Sequence, residues 1–242
     1  MGFSIDRALR FGWETFKKRP WFFIGVAIVI SIAQSVAQKL PEAIDAQFAG
    51  PGEDAPLVVL LVGLAVYFGL GALVGMGVTA FGLDAHDNPD TVGLSALWHP
   101  QPFWKYLGLN LLLYPFVFAG LVLLLLLMTW LDPLSGLLTG ILFLYIAGVI
   151  FALMFIFAPF LVIDREVGPI AALKESYRIT SGHRWDLLGF LLMLTLINLL
   201  GLLALFVGVL VSAPVSLLAL THAYRVLSGS ARTQPADAAL SA

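Results

Sequence analysis

Cysteine is absent from the 242 residues. That excludes disulfides, thiolate metal sites and cysteine nucleophiles, and leaves the redox compartment open. Charge is scarce too. Asp, Glu, Lys and Arg make up 12% of the chain, against about 25% in soluble domains, which is too little to cover a water-facing surface of this size. The net charge is −2 and no basic domain exists, so nucleic acid is not an expected partner. No G-x-S-x-G, H-E-x-x-H or P-loop pattern occurs, and no paired intramembrane aspartates. No cofactor is expected. What the chain has instead is apolar surface: 60% hydrophobic residues and a mean hydropathy of +0.96. The bilayer must be the solvent for most of it.

The apolar residues fall into runs of membrane length. Spans are predicted at about 20–38, 57–82, 104–130, 135–163, 185–204 and 206–226. Roughly 20 apolar residues suffice to cross about 30 Å of hydrocarbon. Each central Leu, Ile, Phe or Val favours insertion by about 0.3–0.6 kcal/mol. No charge lies near the middle of any span, so the usual mark of an ion or proton pathway is missing. The expected fold is an all-α polytopic membrane protein, one domain over 1–227. Its six spans form three hairpins, each preceded by a short interfacial amphipathic helix. A polar tail over 228–242 is expected to be disordered and cytoplasmic.

The hairpin reading comes from a repeat. Residues 8–25 and 172–189 align without a gap: Ala8 on Ala172, Leu9 on Leu173, Trp13 on Tyr177, Trp21 on Trp185 and Gly25 on Gly189. In each, an amphipathic stretch leads to a tryptophan and then to a long apolar run. A weaker copy lies at 91–108, with Trp104 and Gly108. Over 4–18, Ile5, Ala8, Leu9, Gly12, Trp13 and Phe16 share one helix face. Such a helix is expected to lie flat at the interface. Parallel repeats of this kind are related by an axis along the membrane normal, which suggests a pseudo-threefold bundle. The small-residue pair Gly71 and Gly75 is expected to allow close helix packing within the bundle rather than a dimer contact.

Lys and Arg set topology. Arg7, Arg10, Lys17, Lys18 and Arg19 precede the first span. Lys105, then Arg165, Lys174, Arg178 and Arg184, then Arg225 and Arg232 fall on the same side, and only Lys39 falls opposite. Both termini are therefore expected in the cytoplasm, with the chain multi-pass in the inner membrane. Residues 17–37 loosely fit a cleaved signal peptide. The echo of this segment in mid-chain argues for a retained anchor.

Few residues suggest chemistry. Asp84, His86 and Asp87, with Asp90 or Asp164 as a further ligand, could hold zinc or manganese. The plainer reading is a solvated turn, and no metal site is expected. His99, His183 and His222 lie at predicted helix ends, where a dipole contact is enough to explain them. Gln34, Asn110 and Asn198 lie at membrane depth, either as interhelical glue or as contacts for a headgroup or small solute. Arg165, Lys174, Arg178 and Arg184 are candidate contacts for anionic lipid headgroups, beside their topological role. A membrane-protein partner is a further expectation. Three functions compete: a non-enzymatic accessory, scaffolding or lipid-associated bundle, which leads; a carrier of a lipid or apolar solute; and an intramembrane metal-dependent enzyme.

Residues 158–190, A-P-F-L-V-I-D-R-E-V-G-P-I-A-A-L-K-E-S-Y-R-I-T-S-G-H-R-W-D-L-L-G-F, and the run 198–225 carry a likeness. They resemble a group of uncharacterised bacterial six-helix integral membrane proteins, and the membrane domain fused to glycerophosphodiester phosphodiesterases is similar. The resemblance implies an anchoring or accessory membrane domain. It brings no catalytic residue, and the phosphodiesterase domain is not present in this sequence.

The charge asymmetry makes a direct prediction. Alkaline phosphatase fused after Ala242 should stay inactive and a fluorescent protein fused there should fold; an active phosphatase at that position would reverse the topology.

Overall fold

A computed structural model describes residues 3–48, 56–98, 101–204 and 208–229. These residues form helices and turns with no strand among them. The helices are α1 (Ile5–Lys18), α2 (Pro20–Phe48), α3 (Leu57–Asp87), α4 (Phe103–Trp130), α5 (Pro133–Phe155), α6 (Ala158–Asp164), α7 (Pro169–Ser181), α8 (Arg184–Leu203) and α9 (Val209–Leu227). A 3-10 turn, Leu94–Leu97, separates α3 from α4. Among the described residues six helical stretches are long and apolar enough to cross a membrane: α2, α3, α4, α5 continued by α6, α8 and α9. The chain is an all-α, multi-pass membrane protein. His99 and the predicted tail beyond Gly229 lie outside the described residues.

Several boundaries move from their expected places. The first span continues past 38 to Phe48. Pro41 removes one donor, but Leu40, Glu42, Ala43, Ala46 and Gln47 around it are helix formers. The second runs to Asp87, so Asp84, His86 and Asp87 are helical and not part of a turn. Asn88 ends that helix, with its backbone N–H on the Asp84 carbonyl and its side chain donating to Asp84 Oδ1 at 3.1 Å. The fourth span breaks at Ile156 and Phe157, just before Pro159, and resumes as α6. The Met154 carbonyl at that break accepts from Ser176 Oγ of α7 at 3.0 Å.

The short helices expected before each hairpin differ from one another. Among the described residues the middle one is only the 3-10 turn, because Pro89, Gly93 and Pro102 leave too few residues between them for an α-helix. α1 packs along α9. Its expected interfacial face buries Ala8, Gly12 and Phe16 in the protein and leaves Trp13 exposed. Gly12 makes this possible: a Cβ there would lie 2.6 Å from the Val215 carbonyl oxygen. Of the glycine pair on α3, Gly75 receives the Tyr106 ring of α4, while Gly71 faces open space.

Helix α3 is central, touching α2, α4, α6 and α9, while α5 meets α8 and α9 meets α2. The buried core gathers at one end of the bundle. There α3 buries Met76 to His86, α6 buries most of its length, and α9 buries Ser212 to Tyr224. Toward the opposite end α4 and α5 expose Phe116, Phe118, Leu125, Ile141 and Leu142. That surface needs lipid rather than water. Trp21, Trp104 and Trp185, each in the first turn of its helix, are 84%, 79% and 85% exposed and point outward. Trp130 does the same at the far end of α4. At 1.5 Å per residue the two ends of α4 lie about 39 Å apart, close to the ~40–45 Å of a bilayer with its headgroups. The tryptophans thus mark two interfaces.

Gly12→Ala should cost about 1–3 kcal/mol through overpacking against α9. Gly71→Ala, with free space and a better helix former, should be neutral or stabilising by up to about 1 kcal/mol. Denaturant unfolding in detergent micelles reads both.

Candidate functional site

The ends of α3, α6 and α9 converge on one cation. The Arg225 guanidinium donates through Nη1 to Asp164 Oδ1 at 2.6 Å and through Nη2 to Asp87 Oδ2. Tyr224 donates its hydroxyl to the other Asp164 oxygen at 2.7 Å. The arrangement follows from helix geometry. Neighbouring Tyr224 and Arg225 in the last turns of α9 reach one carboxylate at the end of α6, while the arginine fork also reaches α3. Arg225 and Asp164 are only 13% and 15% exposed, Asp87 35%. Two carboxylates around one guanidinium in so dry a place hold each other only through it.

A second polar line adjoins the first. His86 Nδ1 lies 2.9 Å from Asp87 Oδ1, and its Nε2 lies 3.2 Å from His222 Nδ1. Phe11 of α1 covers both rings, 4.6 Å from His86 and 4.5 Å from His222. His222 therefore sits more than one turn before the end of α9, inside the packing, and not at a helix terminus as expected. His183, at the N-cap position of α8, has its Nδ1 buried without a hydrogen bond.

The metal candidates do not converge. Asp84 binds Asn88, Asp90 Oδ2 pairs with Lys18 at 3.3 Å, and Asp164 and Asp87 share Arg225. His86 has both nitrogens engaged. Among the described residues no three His, Asp or Glu side chains gather around one point. An arginine occupies the place between the carboxylates where a cation would go. The Asp90 loop is fastened further by Arg19, which donates to the carbonyls of Asp90 and Val92 at 3.3 and 2.9 Å.

The three deep amides part company. Asn198 Nδ2 donates to Ser216 Oγ and to the Leu194 carbonyl, both at 2.8 Å, while its Oδ1 accepts from Ser212 Oγ at 2.9 Å. It is an interhelical clasp between α8 and α9. Gln34, its repeat counterpart, is exposed on α2, and Asn110 is half-buried on α4. The structure does not bring the three together.

The four basic candidates split into two pairs. Glu175 of α7 takes Arg178 at 2.7 Å and Arg165 at 3.5 Å. Arg165 also donates to the Ser228 carbonyl at 3.0 Å. Lys174 is exposed, and Arg184 lies over the Tyr177 ring at 4.9 Å. Among the described residues neither has a carboxylate partner within ion-pair distance.

Sequence reading missed the Arg225 cluster, because its members are 61 and 138 residues apart. One clue was available: acids close the second and fourth spans, and the sixth closes on T-H-A-Y-R at 221–225. Ser212 and Ser216, at i and i+4 on the helix facing Asn198, were a second clue.

No family model, curated protein or solved structure matches the chain.

Arg225→Ala should cost about 3 kcal/mol, the low end for breaking a buried pair because Asp87 is partly exposed. Tyr224→Phe should cost about 1 kcal/mol, and Asn198→Ala about 1 kcal/mol. Unfolding in micelles should preserve that order; equal effects from all three would show that the cluster is not the stronger tie.

Proposed function

We propose that the chain is a non-enzymatic, lipid-associated scaffold or accessory bundle of the bacterial inner membrane, with both termini in the cytoplasm. The observation that carries this reading is where the polar groups are spent. Arg225 is shared by Asp87 and Asp164, Tyr224 is bound to Asp164, and Asn198 is bound to Ser212 and Ser216. Groups that ligate or transfer something across a membrane must exchange partners. These hold helices to one another instead. The basic residues on the side of α1 and α7 support the orientation.

A carrier of lipid is the second reading. One feature favours it: a crevice of about 560 Å³ between α5 and α8 that opens sideways, lined by Tyr145, Val149, Leu188 and Leu192.

Reconstitution separates the two. In proteoliposomes carrying fluorescent phospholipid, the scaffold leaves the rate of lipid flipping at that of empty vesicles. A clear acceleration by the protein would replace the scaffold with the carrier.

A further inference from the structure

We infer that the α5–α8 crevice is a binding site for one anionic phospholipid, with an acyl chain along the crevice and its phosphate at Arg184. This rests on the lipid-associated reading above and gives it a place and a lipid class.

The shape argues for an acyl chain. The crevice runs from Met154 and Arg184 at one end to Tyr145 and Leu192 at the other. At 1.5 Å per residue that is about 12–14 Å along each helix, close to half of the roughly 30 Å hydrocarbon core. The crevice therefore has the depth of one leaflet. Apart from Arg184, the Tyr145 hydroxyl and the Trp185 indole N–H its lining side chains are apolar, and its flank is open, with Tyr145, Ile146, Ile150 and Leu192 exposed. A chain enters from the bilayer without leaving hydrocarbon.

The charge argues for an anionic head. Arg184 stands at the end of the crevice that lies at the Trp185 interface. Its guanidinium rests on Tyr177, its Nε is buried without a hydrogen bond, and no carboxylate pairs with it among the described residues. The adjacent His183 Nδ1 is also buried without a partner. Arg165 and Arg178 are already held by Glu175. A guanidinium with no carboxylate partner at the end of an apolar slot is matched by the phosphate of a lipid whose tail fills that slot. A zwitterionic lipid also offers a phosphate, but its ammonium group meets the same positive charge.

Native mass spectrometry of the full chain in micelles, with equimolar phosphatidylglycerol and phosphatidylcholine as probes, tests this. Phosphatidylglycerol should be retained preferentially. Arg184→Gln should weaken its retention about five-fold, the effect of one basic side chain at a surface, and Arg184→Lys should restore most of it. Leu192→Trp, which crowds the slot from an exposed position, should lower retention of both lipids. Equal retention of the two lipids by the unaltered chain would overturn the site, as would undiminished retention in Leu192→Trp. A dimer that sheds lipid as it forms would assign the crevice to a second copy and also overturn it. A chain that flips lipid yet shows the expected retention removes the scaffold reading and keeps this site. A chain that does neither keeps the scaffold and removes the site.

Discussion

One guanidinium between two carboxylates fixes how this bundle closes. Arg225 arrives on the last helix, Asp87 on the third and Asp164 on the sixth. Without the arginine the two acids would repel in a region short of water. Without the acids the arginine would be a partly buried, unmatched charge. Each of the three helices thus has its end position specified by the other two. The neighbouring contacts are built around this point. α1 lies along α9 beside it, Phe11 covers the His86 and His222 rings, and Lys18 and Arg19 fasten the loop that follows α3.

Lipid explains why the tie stands where it does. Hydrocarbon supplies no hydrogen bonds, so a polar side chain inside the spans must be answered by another side chain or by backbone. Asn198 shows the answer at depth, with two serines and a carbonyl. The buried ion pairs are kept to the end of the bundle where the short helices gather. The opposite half meets the bilayer through Phe, Leu and Ile, and depends on lipid for solvation more than on helix–helix contact.

What was legible in the sequence follows the same division. Apolar runs of about 20 residues reveal spans because the bilayer demands them, and all six were found. Their ends were harder. Pro41 did not stop α2 because its neighbours are helix formers, and Asp84 to Asp87 continued α3 despite weak propensity, with Ala85 and His86 buried and Asp87 paired with Arg225. The repeat foretold equivalent roles for Gln34 and Asn198, yet only Asn198 has serines on the facing helix. On the apolar face of α1, Ala8, Gly12 and Phe16 are buried in the protein while Trp13 is exposed, and residues as small as Gly12 and Ala8 suit a close-packed α9. Of the four basic residues, Arg178 lies three residues after Glu175 on one helix, a pairing that helical spacing already implies, whereas Arg165 meets Glu175 only through the fold.

Helix α3 has 31 residues, or about 46 Å of rise, some 15 Å more than the hydrocarbon it crosses. A helix of that length either tilts or projects beyond the hydrocarbon, and its polar end is the one at His86 and Asp87. Bilayer thickness then matters to the junction: longer acyl chains would draw it toward oil, while shorter ones would bathe it in the headgroup layer. Membranes differing by a few ångströms would therefore grip the same helices with different firmness.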